Sequence, residues 1–146
     1  PLLYPPLDPG ETEVAREVST LPWVRSGERA KAVYEKALKT ELKSESIWYK
    51  VGMILYDGLY YDEALDAFRI TRELGGDPMY AFLAMIWQGH VLDLLGKREE
   101  AIRSYREVYQ KLKERGFDGE WRNDQYGLVI NRKWVEERLK RPFTRT

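Results

Sequence analysis

Three alanines set the frame of this chain. Ala30, Ala64 and Ala101 lie 34 and 37 residues apart, and each is followed four positions later by an aromatic residue, Tyr34, Phe68 and Tyr105. Three positions further on stand Ala37, Thr71 and Val108. A small residue and a large one at i and i+4 share one face of a helix. Their return at a period within roughly 20–50 residues marks a repeated supersecondary unit that buries its apolar face against neighbours.

The rest of the chain agrees with helices. From Glu11 onward apolar residues recur at three- and four-residue spacing, and nothing reads as β-structure. The breakers and caps divide this pattern. A first helix spans Glu11 to Thr20 and is stopped by Pro22. Ser26 caps a second over Gly27 to Leu42, and Ser44 caps a third over Glu45 to Asp57. The Gly58-Leu59-Tyr60 turn leads into Tyr61 to Leu74, which Gly75-Gly76 ends. Asp77-Pro78 opens a helix to Leu95, with a capping carboxylate and a proline that needs no donor. Gly96 breaks it, and the next runs from Lys97 to Arg115 before Gly116. The short connections make consecutive helices antiparallel neighbours. Residues 1–10, PLLYPPLDPG, hold four prolines and read as a Pro-rich linker, with a docking tether as the other reading.

The middle unit carries Trp48-x-x-Val51-Gly52-x-x-Leu55 followed by Tyr61-Asp62-Glu63-Ala64-Leu65; the last has Met85, Gly89, Gly96 and Ala101 in matching places. This pattern resembles the tetratricopeptide repeat (TPR) over Glu45 to Leu112, and in part over Gly27 to Leu42. It departs from that family at Pro22 and Trp23, at Gly58, which comes one residue early, and after Gly116. The resemblance implies an all-α fold: antiparallel helix hairpins stacked as a short, right-handed, TPR-like α-solenoid. Residues 11–115 then form about two and a half units, and residues 116–146 an extension with a capping helix over Asn131 to Lys140. In that reading Gly52, Ala64, Gly89 and Ala101 let paired helices approach, while Phe68 and Tyr105 fill the space between one pair and the next. Trp134, Val135 and Leu139 give the last helix an apolar stripe, which covers the open end of the stack or pairs two copies.

The search for chemistry yields little. The absence of cysteine excludes disulfides, thiolate metal sites and a cysteine nucleophile. The single histidine, His90, has no HExxH-type partner, so no metal and no cofactor are expected. No nucleophile elbow, P-loop or dinucleotide fingerprint is present. The carboxylates Asp57, Asp62, Glu63, Asp66, Asp93, Glu99 and Glu100 fall near turns or on amphipathic helices, where solvated faces are expected. The chain is therefore expected not to be an enzyme.

Binding is the better use of these residues. The resemblance places Tyr49, Met53 and Tyr56 on one helix, and Ile86, His90 and Asp93 on the next, along a concave peptide-binding groove. That groove lacks the lysine and asparagine set with which some family members clamp an acidic peptide end. The expected partner is a protein or peptide. The alternatives are a groove filled by the chain's own ends, and an assembly domain that self-associates or supports a larger multidomain or membrane-anchored protein. The net charge is zero, but from Lys97 to Thr146 the count is 14 Lys and Arg against 9 Asp and Glu. That basic end lacks a nucleic-acid motif, so nucleic acid is not expected as a partner. The longest apolar run, Met79 to Trp87, is about half of what a membrane span requires, and no signal peptide is visible. Both a cytoplasmic protein and the soluble domain of a membrane-anchored one stay open.

Overall fold

The computed structural model describes residues 9–20 and 27–145. Residues 1–8 of the Pro-rich segment, the stop at Pro22, Trp23 and the Ser26 cap lie outside the described residues. The described chain is mostly helical, with seven helices and one short hairpin. In order these are α1 (Pro9–Thr20), α2 (Gly27–Lys39), α3 (Glu45–Asp57), α4 (Tyr61–Leu74), α5 (Pro78–Leu94), α6 (Arg98–Glu114), β1 (Trp121–Asn123), β2 (Leu128–Ile130) and α7 (Arg132–Lys140). Among the described residues no helix is long and apolar enough to cross a membrane.

The predicted caps at Ser44 and Asp77 form. Ser44 Oγ accepts from the Ile47 amide, and Asp77 Oδ1 accepts from the Met79 amide at 2.9 Å. Gly75, Gly96 and Gly116 close their helices in the left-handed region, with φ of 64°, 76° and 62°. The turn after α3 differs. Gly58 has an ordinary φ of −81°, and Leu59 takes the left-handed slot at φ 71°. The hydrogen bond from the Tyr60 amide to Leu55 O matches that from the Lys97 amide to Leu92 O, so Leu59 stands where the next hairpin has Gly96. That explains the glycine one residue early: closure is set by backbone hydrogen bonds, and the glycine missed the slot.

The chain divides into two compact units, Pro1–Tyr80 and Ala81–Thr146. In the first, α1 packs on α2 and α3, α2 on α3 and α4, and α3 on α4. Helices α1 to α4 thus pack as one group, with α1 against both α2 and α3. Lys36 of α2 joins α1 through Glu13 and Glu17. The core holds Val14, Val18, Val33, Ala37, Trp48, Leu55 and Phe68, all at most 4% exposed. Trp48 Nε1 donates to Leu42 O at 2.6 Å, which keeps a buried indole satisfied. Tyr34 meets Trp48 edge-on, and its hydroxyl donates to Asp66.

In the second unit, Ser104 Oγ donates to Met85 O at 2.7 Å, tying α6 to α5, and α7 packs on α6 and β2. The β1–β2 hairpin corrects the expectation of no β-structure. Its antiparallel register pairs Trp121 with Ile130 and Asn123 with Leu128. The Asn123 side chain accepts from the Tyr126 amide, and Gly127 turns at φ 65°. Three-residue strands carry too little alternation to stand out from a loop. Asn131 Oδ1 then caps α7 by accepting from the Trp134 amide at 2.8 Å.

The two glycine–aromatic pairs repeat one device. A Cβ on Gly52 would lie 2.6 Å from the Phe68 ring, and one on Gly89 would lie 2.3 Å from the Tyr105 ring. Each aromatic is therefore seated on the glycine of its own hairpin. The missing Cβ creates a socket for the ring on the facing helix.

Candidate functional site

The predicted groove residues are placed individually by the structure. Tyr49 is half-buried between the Phe68 ring at 5.9 Å and the Tyr80 ring at 5.8 Å. Met53 and Tyr56 are each 1% exposed, and Tyr56 packs on Tyr61. Ile86 and His90 are both fully buried. The Asp93 side chain is also fully buried, so it does not belong among the solvated carboxylates. As folded, Met53, Tyr56, Ile86 and His90 are core residues and offer no open groove surface. They share a helix face, but an apolar face tells the same story whether it is lined or covered.

What covers the α5 face is visible at His90 and Asp93. The Phe143 ring stacks on the His90 ring, with centroids 4.0 Å apart and planes 14° from parallel. Trp87 stands edge-on to His90 at 4.5 Å and to Phe143 at 6.0 Å. Trp134 of α7 stands edge-on to the same two rings, at 5.7 Å and 6.4 Å. Edge-on arrangements of this kind are favourable for aromatic groups. Together they make a slot with an imidazole floor and indole walls.

Asp93 anchors the main chain beside the slot. Its Oδ2 accepts from the Phe143 amide at 2.9 Å and from the Tyr105 hydroxyl at 2.8 Å. Arg98 Nη1 donates to both oxygens at 3.1 Å. The other terminal nitrogen of Arg98 donates to the carbonyls of Arg138, at 2.7 Å, and Leu139, at 3.2 Å. These carbonyls belong to the last turn of α7, whose final acceptors lack intrahelical partners. One arginine thus satisfies a buried carboxylate and a helix end together. Burial, and then the Asp93 hydrogen bond, push the Tyr105 hydroxyl well above its ordinary pKa.

His90 is locked in one protonation state. Trp134 Nε1 donates to His90 Nε2 at 3.0 Å, and an indole N–H is a donor only. His90 Nε2 must then be the bare nitrogen, with the proton on Nδ1. Burial, assisted by the nearby Arg138 guanidinium, drives the His90 pKa well below its ordinary value. Neither His90 Nδ1 nor Arg138 Nε has a hydrogen-bond partner among the described residues. The Arg138 guanidinium lies over the Trp134 ring at 4.3 Å. Elsewhere in this unit an open cleft of about 520 Å³ runs between residues 117–119 and α7, where Arg132, Lys133 and Lys140 alternate with Glu136 and Glu137. Among the described residues no group of three His, Asp or Glu side chains could hold a metal ion.

Sequence reasoning missed Arg98, Trp134, Arg138, Phe143 and the Tyr105 hydroxyl as parts of this site. A signal for two of its members was present. Aligned by the repeat, Phe68 and Tyr56 correspond to Tyr105 and Asp93. A hydroxyl and a carboxylate therefore enter together at equivalent positions, as a bonded pair must. No family model, curated protein or solved structure matches the chain.

Proposed function

We propose that this chain is a TPR-like, non-catalytic protein-interaction module that binds a peptide or protein partner. The observation that carries the reading is the seat of residues 141–145. A stretch of polypeptide outside regular secondary structure, entered through extended Arg141, lies on the His90–Asp93 face, held by a main-chain amide and an aromatic ring. Main-chain anchoring with a pocket for one side chain is a general way of gripping an extended peptide. The repeated spacing of Gly52 with Phe68, and of Gly89 with Tyr105, supports the TPR-like part of the reading. The non-catalytic part is supported by His90, whose Nε2 is committed to Trp134 inside an aromatic cage. A general base needs its acceptor nitrogen within reach of a substrate proton.

The test begins with partners captured from native host extract and identified by mass spectrometry. Each is then rebuilt from purified components and titrated by calorimetry. We expect a partner that binds the wild type and loses affinity at least about tenfold with Tyr49→Ala, Tyr49 being a groove residue left partly exposed. The variant must keep a cooperative melt. A chain with no reconstituted partner, or partners indifferent to every face residue, would refute the module.

A second reading, an assembly domain, is favoured by the burial of Met53, Tyr56, Ile86 and His90. It requires a stable oligomer, and solution mass decides it.

A further inference from the structure

The two central hairpins share one spacing, and the second carries a buried carboxylate that holds chain. Where the first hairpin has Met53, Tyr56 and Phe68, the second has His90, Asp93 and Tyr105. A buried carboxylate is costly unless it is fully hydrogen-bonded. Asp93 is made tolerable by Tyr105 and Arg98, and its remaining donor is a backbone amide contributed by the C-terminal segment.

The seated segment defines what the slot reads. The amide contact is blind to side-chain type, but it requires a residue other than proline. The stacked floor and edge-on walls select an aromatic ring. Pro142 has no amide proton to compete for Asp93, and it biases the residue before it towards extended backbone. Arg141 is extended, at φ −138° and ψ 137°. Arg141, Pro142 and Thr144 are exposed while Phe143 is 5% exposed, so the ring is the buried determinant.

We propose that the His90–Asp93 slot is a recognition site for an extended Pro-aromatic peptide segment, with residues 141–145 as its built-in competitor. This rests on the interaction-module reading and supplies its partner chemistry. At the slot the segment is held through the Phe143 amide and the Phe143 ring. Its advantage is that it is tethered, with an effective concentration on the order of millimolar. A partner that adds contacts outside the slot overcomes that advantage.

The test uses a fluorescent synthetic peptide of sequence Lys-Arg-Pro-Phe-Thr-Arg-Thr, the chain's own C-terminal segment, titrated into the full chain. The Phe143→Ala variant vacates the ring position and leaves only its main-chain amide to compete for Asp93. It is expected to bind the peptide saturably, at least about tenfold more tightly than the wild type, whose slot is occupied. A peptide with Ala in place of Phe should not bind either protein. Absence of saturable binding to a folded Phe143→Ala chain, or equal binding of the Phe and Ala peptides, would overturn the proposal. Should Phe143→Ala fail to fold, the wild type is examined with millimolar peptide by NMR, following the Trp134 indole N–H that bonds His90. A saturable shift with the Phe peptide alone supports the slot, and no shift overturns it. Failure here leaves a partner dependent on Tyr49 untouched, so the two readings fail separately.

Discussion

At the scale of single residues, two positions carry unusual free-energy terms. Leu59 sits in the left-handed region while 64% exposed. That conformation costs an L-residue roughly 1–2 kcal/mol, and little burial offsets it here. Glycine avoids the strain but adds disorder to the unfolded chain. Leu59→Gly is therefore expected to stabilise the fold by about 0.5–1 kcal/mol, read as a higher urea midpoint at unchanged m-value. A lower midpoint would mean that the Leu59 side chain makes contacts worth more than its strain. His90 is the other case. Its folded pKa is depressed, so its neutral form contributes stability fully above the unfolded value of 6.5. That contribution is lost as pH falls from there towards the folded pKa, with a slope of up to about 1.4 kcal/mol per pH unit. Protonation would also place hydrogen on Nε2, break the Trp134 hydrogen bond and add charge beside Arg138. The groups facing His90 from packed elements are the Arg138 guanidinium of α7 and Tyr105 of α6, whose hydroxyl burial pushes well above its ordinary value. Urea melts between about pH 7.5 and 5 should show a falling midpoint for the wild type and a flat one for His90→Gln. A flat wild type would contradict a neutral, buried His90.

At the scale of elements, the hairpins are interlocked by volume that is missing. Gly52 and Gly89 lie inside helices, where glycine costs about 1 kcal/mol against alanine. Propensity alone predicts that alanine would stabilise both. The rings of Phe68 and Tyr105 reverse the sign, since a methyl group at either position would meet ring carbons at 2.6 Å and 2.3 Å. Gly52→Ala and Gly89→Ala should each destabilise by about 1–3 kcal/mol through overpacking, measured by chemical melts. Gly96→Ala meets open space and isolates the backbone term, because Gly96 has φ 76° and nothing within 4 Å of a Cβ. Were Gly52→Ala neutral, the ring would be free to move and the interlock would be no specificity device.

At the scale of the whole molecule, charge is divided between the units. Residues 1–80 carry 10 Lys and Arg against 14 Asp and Glu, and residues 81–146 carry 14 against 10. Opposite signs on one chain favour association between copies at low salt, and screening weakens it. For an interaction module the chain mass of 17.3 kDa should be found by light scattering at about 0.15 M salt, independent of concentration. A dimer persisting at high salt would instead favour the assembly reading.

Much of the helical framework was legible in the residues because its causes are local. Ser44, Asp77 and Gly75 act within a turn of where they stand, and α3 and α4 begin and end where spacing and caps place them. The repeat spacing likewise singled out Gly52, Phe68, Gly89 and Tyr105, but seating each ring on its glycine joins two facing helices and is a tertiary contact. The tertiary structure alone decided which apolar faces are open. Met53, Tyr56, Ile86 and His90 have the same pattern whether they line a groove or lie beneath a covering segment, since burial depends on chain remote in sequence. Phe143 reaches Asp93 across 50 residues, and Trp134 reaches His90 across 44. Long-range contacts of that kind are chosen by the packing of complete helices. They turned a predicted ligand surface into a slot that the chain itself fills.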